Sequence, residues 1–297
     1  MSVAPEALEL ERLAATDPAV APLARLQGIA LRAAADPAWA EGVPDLTEPR
    51  AESAAPRLQG ARLLVDADRL RALLGRLAAS LDSGGPAAAA RLGPLFASPA
   101  LEPAEVLRAS LVHDDAALEA VAATGAADPA VLAVVAQAAA LPLLAACSRR
   151  AAEALAAESW PHGYCPTCAA WPTLAEVRGL ARELILRCGR CGSGWPFEHR
   201  RCPYCGNREQ HRQRYFAPEQ EREIRRAVTC DRCQGYVKTQ ATLGPLRHPE
   251  ILVRDLESLE LDVTALAHGY RRPEGLGWAL SLAVEAAPRR GGWWRRR

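Results

Sequence analysis

Between residues 165 and 233 the chain places eight of its nine cysteines in four C-x-x-C pairs: Cys165/Cys168, Cys188/Cys191, Cys202/Cys205 and Cys230/Cys233. No other feature restricts the fold as strongly. Two sulfurs on one side of a tight turn can meet a single ion, and a glycine or small residue after the second cysteine lets the backbone close that turn. Gly192 and Gly206 stand directly after their pairs, Gly235 lies two residues past Cys233, and Ala169 follows Cys168. Pro166 and Pro203 fix φ inside two of the turns.

Nineteen residues separate Cys168 from Cys188 and 24 separate Cys205 from Cys230, against ten between Cys191 and Cys202. The first interval fits the C-x2-C-x15–20-C-x2-C metal pattern and the second is a longer version of it. Sequential pairing is therefore expected. One site would use Cys165, Cys168, Cys188 and Cys191, and the other Cys202, Cys205, Cys230 and Cys233, with an interleaved cross-brace as the alternative. A thioredoxin-type pair would need a strand before it and a helix after it, which the flanking prolines and glycines do not suggest. Iron–sulfur clusters use differently spaced runs. A four-thiolate tetrahedral site suits zinc or a single iron, and spacing does not choose between them. Eight sulfurs complete two ligand sets, so His162, His199 and His211 read as surface or supporting groups. The lone Cys147 reads as a small buried hydrophobe. No Ser-His-Asp set, phosphate loop or HExxH run occurs, so no catalytic residues are assigned.

The first 160 residues read as helices divided by punctuation, with no strand pattern. Asp17-Pro18 and Asp36-Pro37 break the chain around a helix carrying Leu23, Leu26, Ile29 and Leu31. Residues 42–57, with three prolines, read as a loop. A helix from Leu63 to Leu81 follows, its face made by Leu63, Leu70, Leu74, Leu77 and Leu81, and Ser83-Gly84-Gly85-Pro86 ends it. Shorter helices are expected near 87–97, 103–111 and 115–123, the last capped by Asp114 or Asp115. Asp128-Pro129 opens a long helix that ends near Cys147, with another over about 149–158. Beyond the cysteines, Tyr236 to Thr239 reads as a strand. Leu256, Leu259, Leu261 and Leu266 read as one more helix, and the Trp/Arg tail 289–297 reads as disordered.

Pro129 to Ser148 has no charged residue, yet it is mostly alanine and contains Gln137 and Pro142. It reads as a buried core helix and not a membrane span, because alanine contributes little to insertion. Glu6, Glu9 and Glu11 stand where a secretory leader would be basic and apolar, so a cytoplasmic location and free thiols are expected. Residues 1–160 hold 13 basic and 20 acidic side chains, whereas residues 161–240 hold 14 and 8. A divalent ion held by four thiolates carries charge −2, so two such sites account for much of that basic excess without nucleic acid.

Several runs together resemble the FdhE family, accessory proteins for formate dehydrogenase. They are Trp160-Pro-His-Gly-Tyr-Cys165-Pro-Thr-Cys168, Leu186-Arg-Cys188-Gly-Arg-Cys191 with Trp195, and Arg201-Cys202-Pro-Tyr-Cys205-Gly206. Cys230-Asp-Arg-Cys233-Gln-Gly-Tyr236-Val-Lys238 and Asp255-Leu-Glu-Ser-Leu259-Glu-Leu261-Asp262 complete the set. The likeness is close over about 160–270 and architectural over 1–157; Ala169 stands where the family usually has glycine. The resemblance implies a fold of α structure plus a small metal-stabilised β region. An all-α domain (1–157) would be followed by two tandem rubredoxin-like, zinc-ribbon-like modules (158–196 and 197–245), a short C-terminal helical segment (246–288) and the tail. It further implies a non-enzymatic role in maturing formate dehydrogenase through that enzyme's catalytic subunit, with iron favoured over zinc and a redox role for the modules. Homodimerisation stays open. The alternative is a nucleic-acid-binding zinc ribbon using Tyr204, Tyr215, Phe216, Arg212 and Arg214. A DnaJ-type zinc chaperone would repeat CxxCxGxG, of which only Gly192-Ser-Gly194 shows a trace.

Overall fold

In the computed structural model, which describes residues 5–48, 52–82 and 90–288, the helical half is built as the punctuation directs. Helices α1 (Pro5–Thr16) and α2 (Ala21–Ala34) pack together, followed by α3 (Ala67–Asp82), α4 (Leu92–Ala97), α5 (Pro103–Val112), α6 (Asp115–Thr124) and α7 (Pro129–Ala157). Asp–Pro works as a start signal: Asp128 accepts from Ala130 N at 2.8 Å and Val131 N at 3.2 Å, with Pro129 in the first turn where its missing N–H costs nothing. Asp114, the first of the two candidates, caps α6 through Ala117 N.

Three expectations need correction here. Residues 62–65 form a strand, β1 (Arg62–Val65), and α3 begins only at Ala67. Leu63 is buried as a strand residue because β1 pairs in parallel with β8 (Ala283–Ala286), some 220 residues later. The N-terminal half is thus helical with one strand. Second, Cys147 does not end a helix: α7 runs through Pro142 and on to Ala157 without a break. The change near Ser148 is one of burial: Arg149 and Arg150 are exposed, and beyond Cys147 Ala151 is the one residue of the helix still fully buried. Third, the segment after residue 246 holds two helices, α8 (His248–Glu257) and α9 (Leu259–Ala267), and then non-helical chain leading to β8. The helix is interrupted at Ser258, whose hydroxyl bonds back to Arg254 O at 2.7 Å. The stop at 83–86 and the tail 289–297 lie outside the described residues.

α7 is the one helix among the described residues long and apolar enough to cross a membrane, and 67% of its most apolar window is buried inside the protein. Leu132, Val135, Leu143, Leu144 and Cys147 face a core shared with Leu70, Leu74 and Leu77 of α3 and Val106 and Leu107 of α5. That core continues without a break into Cys165, Cys168, Cys188, Cys191 and Trp195.

The cysteine region forms one six-stranded sheet of order β4-β3-β2-β7-β6-β5. Its strands are β2 (Leu174–Arg178), β3 (Glu183–Arg187), β4 (Gly194–Pro196), β5 (Gln213–Phe216), β6 (Arg225–Cys230) and β7 (Gly235–Thr242). Each half repeats one plan: turn with a cysteine pair, antiparallel hairpin, second cysteine turn, closing strand. The longer second interval between pairs is mainly the β5–β6 loop, 217–224, against 179–182 in the first hairpin. The halves are joined by the parallel pairing of β2 with β7, from Leu174↔Lys238 to Arg178↔Thr242.

Candidate metal centres

The four cysteine turns share one geometry. In each, the N–H of the residue after the second cysteine donates to the carbonyl of the first. These bonds are Ala169→Cys165 at 3.0 Å, Gly192→Cys188 at 2.9 Å, Gly206→Cys202 at 3.0 Å and Gln234→Cys230 at 2.8 Å. All four donors sit in the left-handed region, with φ of 64°, 83°, 72° and 55°. This turn aims both sulfurs to one side. The fourth turn uses Gln234, not Gly235, and the first uses Ala169 despite its Cβ. Such a φ costs a residue with a side chain about 1–2 kcal/mol. Gln234→Gly is therefore expected to stabilise the protein by about 0.5–1 kcal/mol, reduced by the larger entropy glycine brings to the unfolded chain. Gly192→Ala should destabilise by about 2–3 kcal/mol, because the added Cβ meets both the strained φ and a wall. That wall is the His248 Cβ, 2.7 Å away. Urea unfolding of both variants checks the opposite signs.

The structure brings the sulfurs together in the sequential sets. Within Cys165, Cys168, Cys188 and Cys191, and within Cys202, Cys205, Cys230 and Cys233, all four Sγ atoms lie within 4.8 Å of one another. Sγ separations are 3.5 Å (Cys165–Cys191), 3.6 Å (Cys168–Cys188), 3.7 Å (Cys202–Cys233) and 3.8 Å (Cys205–Cys230). All nine cysteines are free thiols. A tetrahedron with metal–sulfur bonds of about 2.3 Å has edges of about 3.8 Å, so both clusters have the dimensions of a four-thiolate site. The donor set fits a soft or borderline ion such as zinc or iron.

Electrostatics favour the same occupant. With protons alone, the sulfurs of a cluster compete for negative charge. A hydrogen bond from Cys202 holds Cys233 down at about 5, and Cys202 itself is pushed up by that contact and by burial. In the first cluster burial, reinforced by the neighbouring sulfurs, pushes Cys165 well above its ordinary value. A bound cation removes this competition by stabilising all four thiolates.

The two centres differ in their surroundings. All four sulfur residues of the first are buried, at 2% exposure or less. Thr167 N donates to Cys165 Sγ at 3.4 Å, and Ser193 Oγ lies 3.2 Å from Cys191 Sγ. Ser193 also bonds Thr167 Oγ1 and Ser148 Oγ, both at 2.8 Å, so hydroxyls connect α7 to the centre. The loop before β1 adds backbone bonds from Arg57 N to Pro166 O and from Leu58 N to Thr167 O. In the second centre Cys202 and Cys230 are buried, Cys205 is half-buried and Cys233 is exposed. Asn207 Nδ2, 3.7 Å from Cys230 Sγ, is its one long side-chain contact to sulfur among the described residues. A cavity of about 340 Å³ opens beside it. Cys202, Cys230, Leu184, Val228, Arg200 and Arg226 are among the residues that line it.

The three histidines read from the sequence do not join either cluster. His162 stacks on Tyr164 at 5.2 Å, and its carbonyl accepts from Trp195 Nε1. His199 contacts Arg182 O, and His211 is a surface group near Glu209. Cys147 is buried near Cys168 and Cys191 but outside their cluster, and burial pushes its thiol up. Sequence reasoning missed His248, whose Nε2 contacts Gly189 O at 2.7 Å across the second turn of the first centre. Only the N-terminal position of His248 in a helix far along the chain marks it. It also missed Ser193 as the hydroxyl hub.

The same junction holds His113, the left-handed C-cap of α5, beside Arg190, which donates to Ser110 O at 2.9 Å. Burial, and then Arg190, lowers the His113 pKa from 6.5 to about 4. The unfolded chain binds this proton first, so the neutral histidine adds nothing unfavourable above pH 6.5 and costs stability as pH falls from 6.5 to 4. The loss is on the order of 2 kcal/mol after allowing for partial exposure. His113→Asn, which tolerates the left-handed φ, should flatten that part of the stability–pH curve, measured by urea unfolding from pH 7 to 4.5.

Fold and sites together define a helical protein carrying paired four-cysteine centres on one shared sheet. The chain is 34% identical over 116 residues to the protein FdhE homolog of Pseudomonas aeruginosa strain PAO1, a match spanning 36% of this chain and 37% of the relative. Its fold matches the crystal structure of the FdhE protein from Pseudomonas aeruginosa with a TM-score of 0.54 at 23% identity, covering 92% of this chain and 94% of that one. No family model matches the chain. The sequence match agrees with the resemblance to the FdhE family read from the cysteine runs, and the structural match shows a shared fold.

Proposed function

We propose that this chain is an accessory factor for formate dehydrogenase, without turnover of its own, acting in the cytoplasm on the catalytic subunit of that enzyme. The observation that carries the reading is the pair of four-sulfur clusters in a chain whose fold follows an FdhE protein. In this reading the segments 158–196 and 197–245 act as two rubredoxin-like modules, and the eight clustered cysteines hold one ion each set, iron favoured and zinc as the alternative. Iron would supply a one-electron couple in a ligand shell that hardly rearranges. What the chain itself contributes is a fixed thiolate geometry, a dry first centre and a partly open second one.

The nucleic-acid alternative draws less support. Arg212 and Arg214, the arginines that reading calls on, are matched by Glu209 and Asp231, and Arg226 lies over the exposed Tyr215 ring at 5.3 Å.

The test is genetic and biochemical. Deleting the gene should abolish formate dehydrogenase activity, and a tagged copy should co-purify the catalytic subunit. Unchanged activity together with no co-purified subunit would overturn the proposal. Oxygen-free protein should show iron–thiolate absorption; zinc alone would remove the redox role and leave the assembly role standing.

A further inference from the structure

We infer that the two centres have different tasks: the first is a permanent structural site, and the second is a reactive site whose Cys205 and Cys233 thiolates are offered to competing thiophilic metal ions and to electrophiles. The inference rests on the reading that each cluster holds an ion, and it adds which of the two exchanges.

Exposure is the first argument. An incoming chelator or electrophile must reach a sulfur before the ion leaves. No sulfur residue of the first centre is more than 2% exposed, whereas Cys233 is exposed and Cys205 half-buried. Reaction at cysteine follows thiolate character and access, and buried structural cysteines are inert.

Support around the sulfurs is the second argument. The first centre is held by the Ser148–Ser193–Thr167 hydroxyl chain, by the backbone bonds from residues 57 and 58, and by a core continuous with α3, α5 and α7. Opening it means opening the join between the helices and the sheet. The second lies in the half of the sheet that ends at β5, away from that helical core. Its Cys233 turn is closed by Gln234, a non-glycine residue in left-handed conformation that is itself exposed. Tyr270 and Arg271 tie this turn through Asp231 Oδ1 at 2.5 Å and Gln234 O at 2.8 Å, but Cys233 and Gln234 themselves lie at the surface, where local opening is easiest.

The third argument is chemical identity. Both sets are four thiolates of matching dimensions, so intrinsic ligand affinity does not separate them. The difference must come from access and support, and both point to the second centre.

The experiment uses the full chain loaded with two equivalents of zinc. A chromophoric chelator such as 4-(2-pyridylazo)resorcinol follows metal release. Iodoacetamide forms an S–C bond at each reached sulfur with loss of iodide, and peptide mass mapping reads where. Release is expected in two phases of one equivalent each, separated by at least about tenfold in rate. Cys205 and Cys233 should be alkylated in the fast phase and the first four cysteines protected. Cys233→Ser should keep one tightly held equivalent and the helical circular dichroism of the parent. Two equivalents leaving together at one rate, or earlier labelling of Cys165 to Cys191, would overturn the inference, as would a Cys233→Ser chain that loses both ions and its fold. These readouts need no formate dehydrogenase, so they fail or succeed independently of the proposed client.

Discussion

Cys188→Ser should unfold the sheet region and loosen the helical half with it. A structural four-thiolate zinc site contributes about 10–16 kcal/mol of apparent binding free energy, while a whole domain is stable by about 5–15 kcal/mol. Removing one ligand of the first centre therefore removes an amount comparable with the total. The consequence spreads because Cys165, Cys168, Cys188 and Cys191 lie in the same core as Leu74, Leu107 and Leu144. A vacated site also leaves Cys165, Cys168 and Cys191 as buried thiols, and burial, reinforced by the neighbouring sulfurs, raises Cys165 well above its ordinary value. The expected readouts are loss of the cooperative thermal transition, rapid proteolysis after residue 157, and metal content falling from two equivalents to one or none. A Cys188→Ser protein that melts cooperatively within a few degrees of the parent would show that the first centre is dispensable for the fold.

The cysteine centres were legible in the sequence because everything that builds them is local. A pair, a turn and a fixed interval suffice, and the sequential pairing into two sets follows from intervals of 19, ten and 24 residues. Helix starts were legible for the same reason, Asp114 and Asp128 being caps that act within three residues. What escaped is non-local. β1 is four residues with two buried, too short to show a period, and it is a strand only because β8 lies beside it. The sheet that fuses the two halves depends on the β2–β7 parallel pair, which no turn signal announces. Glycine is the usual marker of a left-handed turn and Gly235 stands nearby, but the hydrogen bond to Cys230 O fixes the turn one residue earlier, at Gln234. The supposed helix boundary near Cys147 was a change of polarity, and polarity alone does not end a helix.

Lys238, the sole lysine, shows how a charge can be the most informative residue of a strand. It is 1% exposed, in β7. Its Nζ reaches Asp255 Oδ1 at 2.8 Å and Asp262 Oδ2 at 2.5 Å, and it donates to Asp255 O at 2.6 Å. Arg272 closes the network with 2.7 Å and 2.9 Å contacts to the same two carboxylates, and Tyr236 OH donates to Asp262 Oδ1 at 2.6 Å. Two motif runs that are separate in sequence, around Tyr236 and around Asp255, thus meet here. Burial alone would raise Asp255, yet the cations Arg272 and Lys238 hold it below the usual carboxylate range. The network clamps α8 to the sheet, while Val253 and Leu256 of α8 pack on Leu10, Val20 and Ala24 of α1, α2 and their connection. α8 is therefore the strut between the second cysteine module and the helical half. Lys238→Met keeps the length and removes the charge, leaving two buried carboxylates to share Arg272. Breaking a buried ion network in this way costs about 3–5 kcal/mol. Urea unfolding should show a loss of that size, and amide exchange should accelerate in residues 248–267 before it does in α7. Because Asp255 is depressed, its contribution is present above its unfolded pKa near 3.8 and fades as pH falls below that value, so the Lys238→Met deficit should shrink in acid. A deficit below about 1 kcal/mol at neutral pH, the range of an exposed pair, would mean that hydrophobic packing of α8 and not this network holds the strut in place.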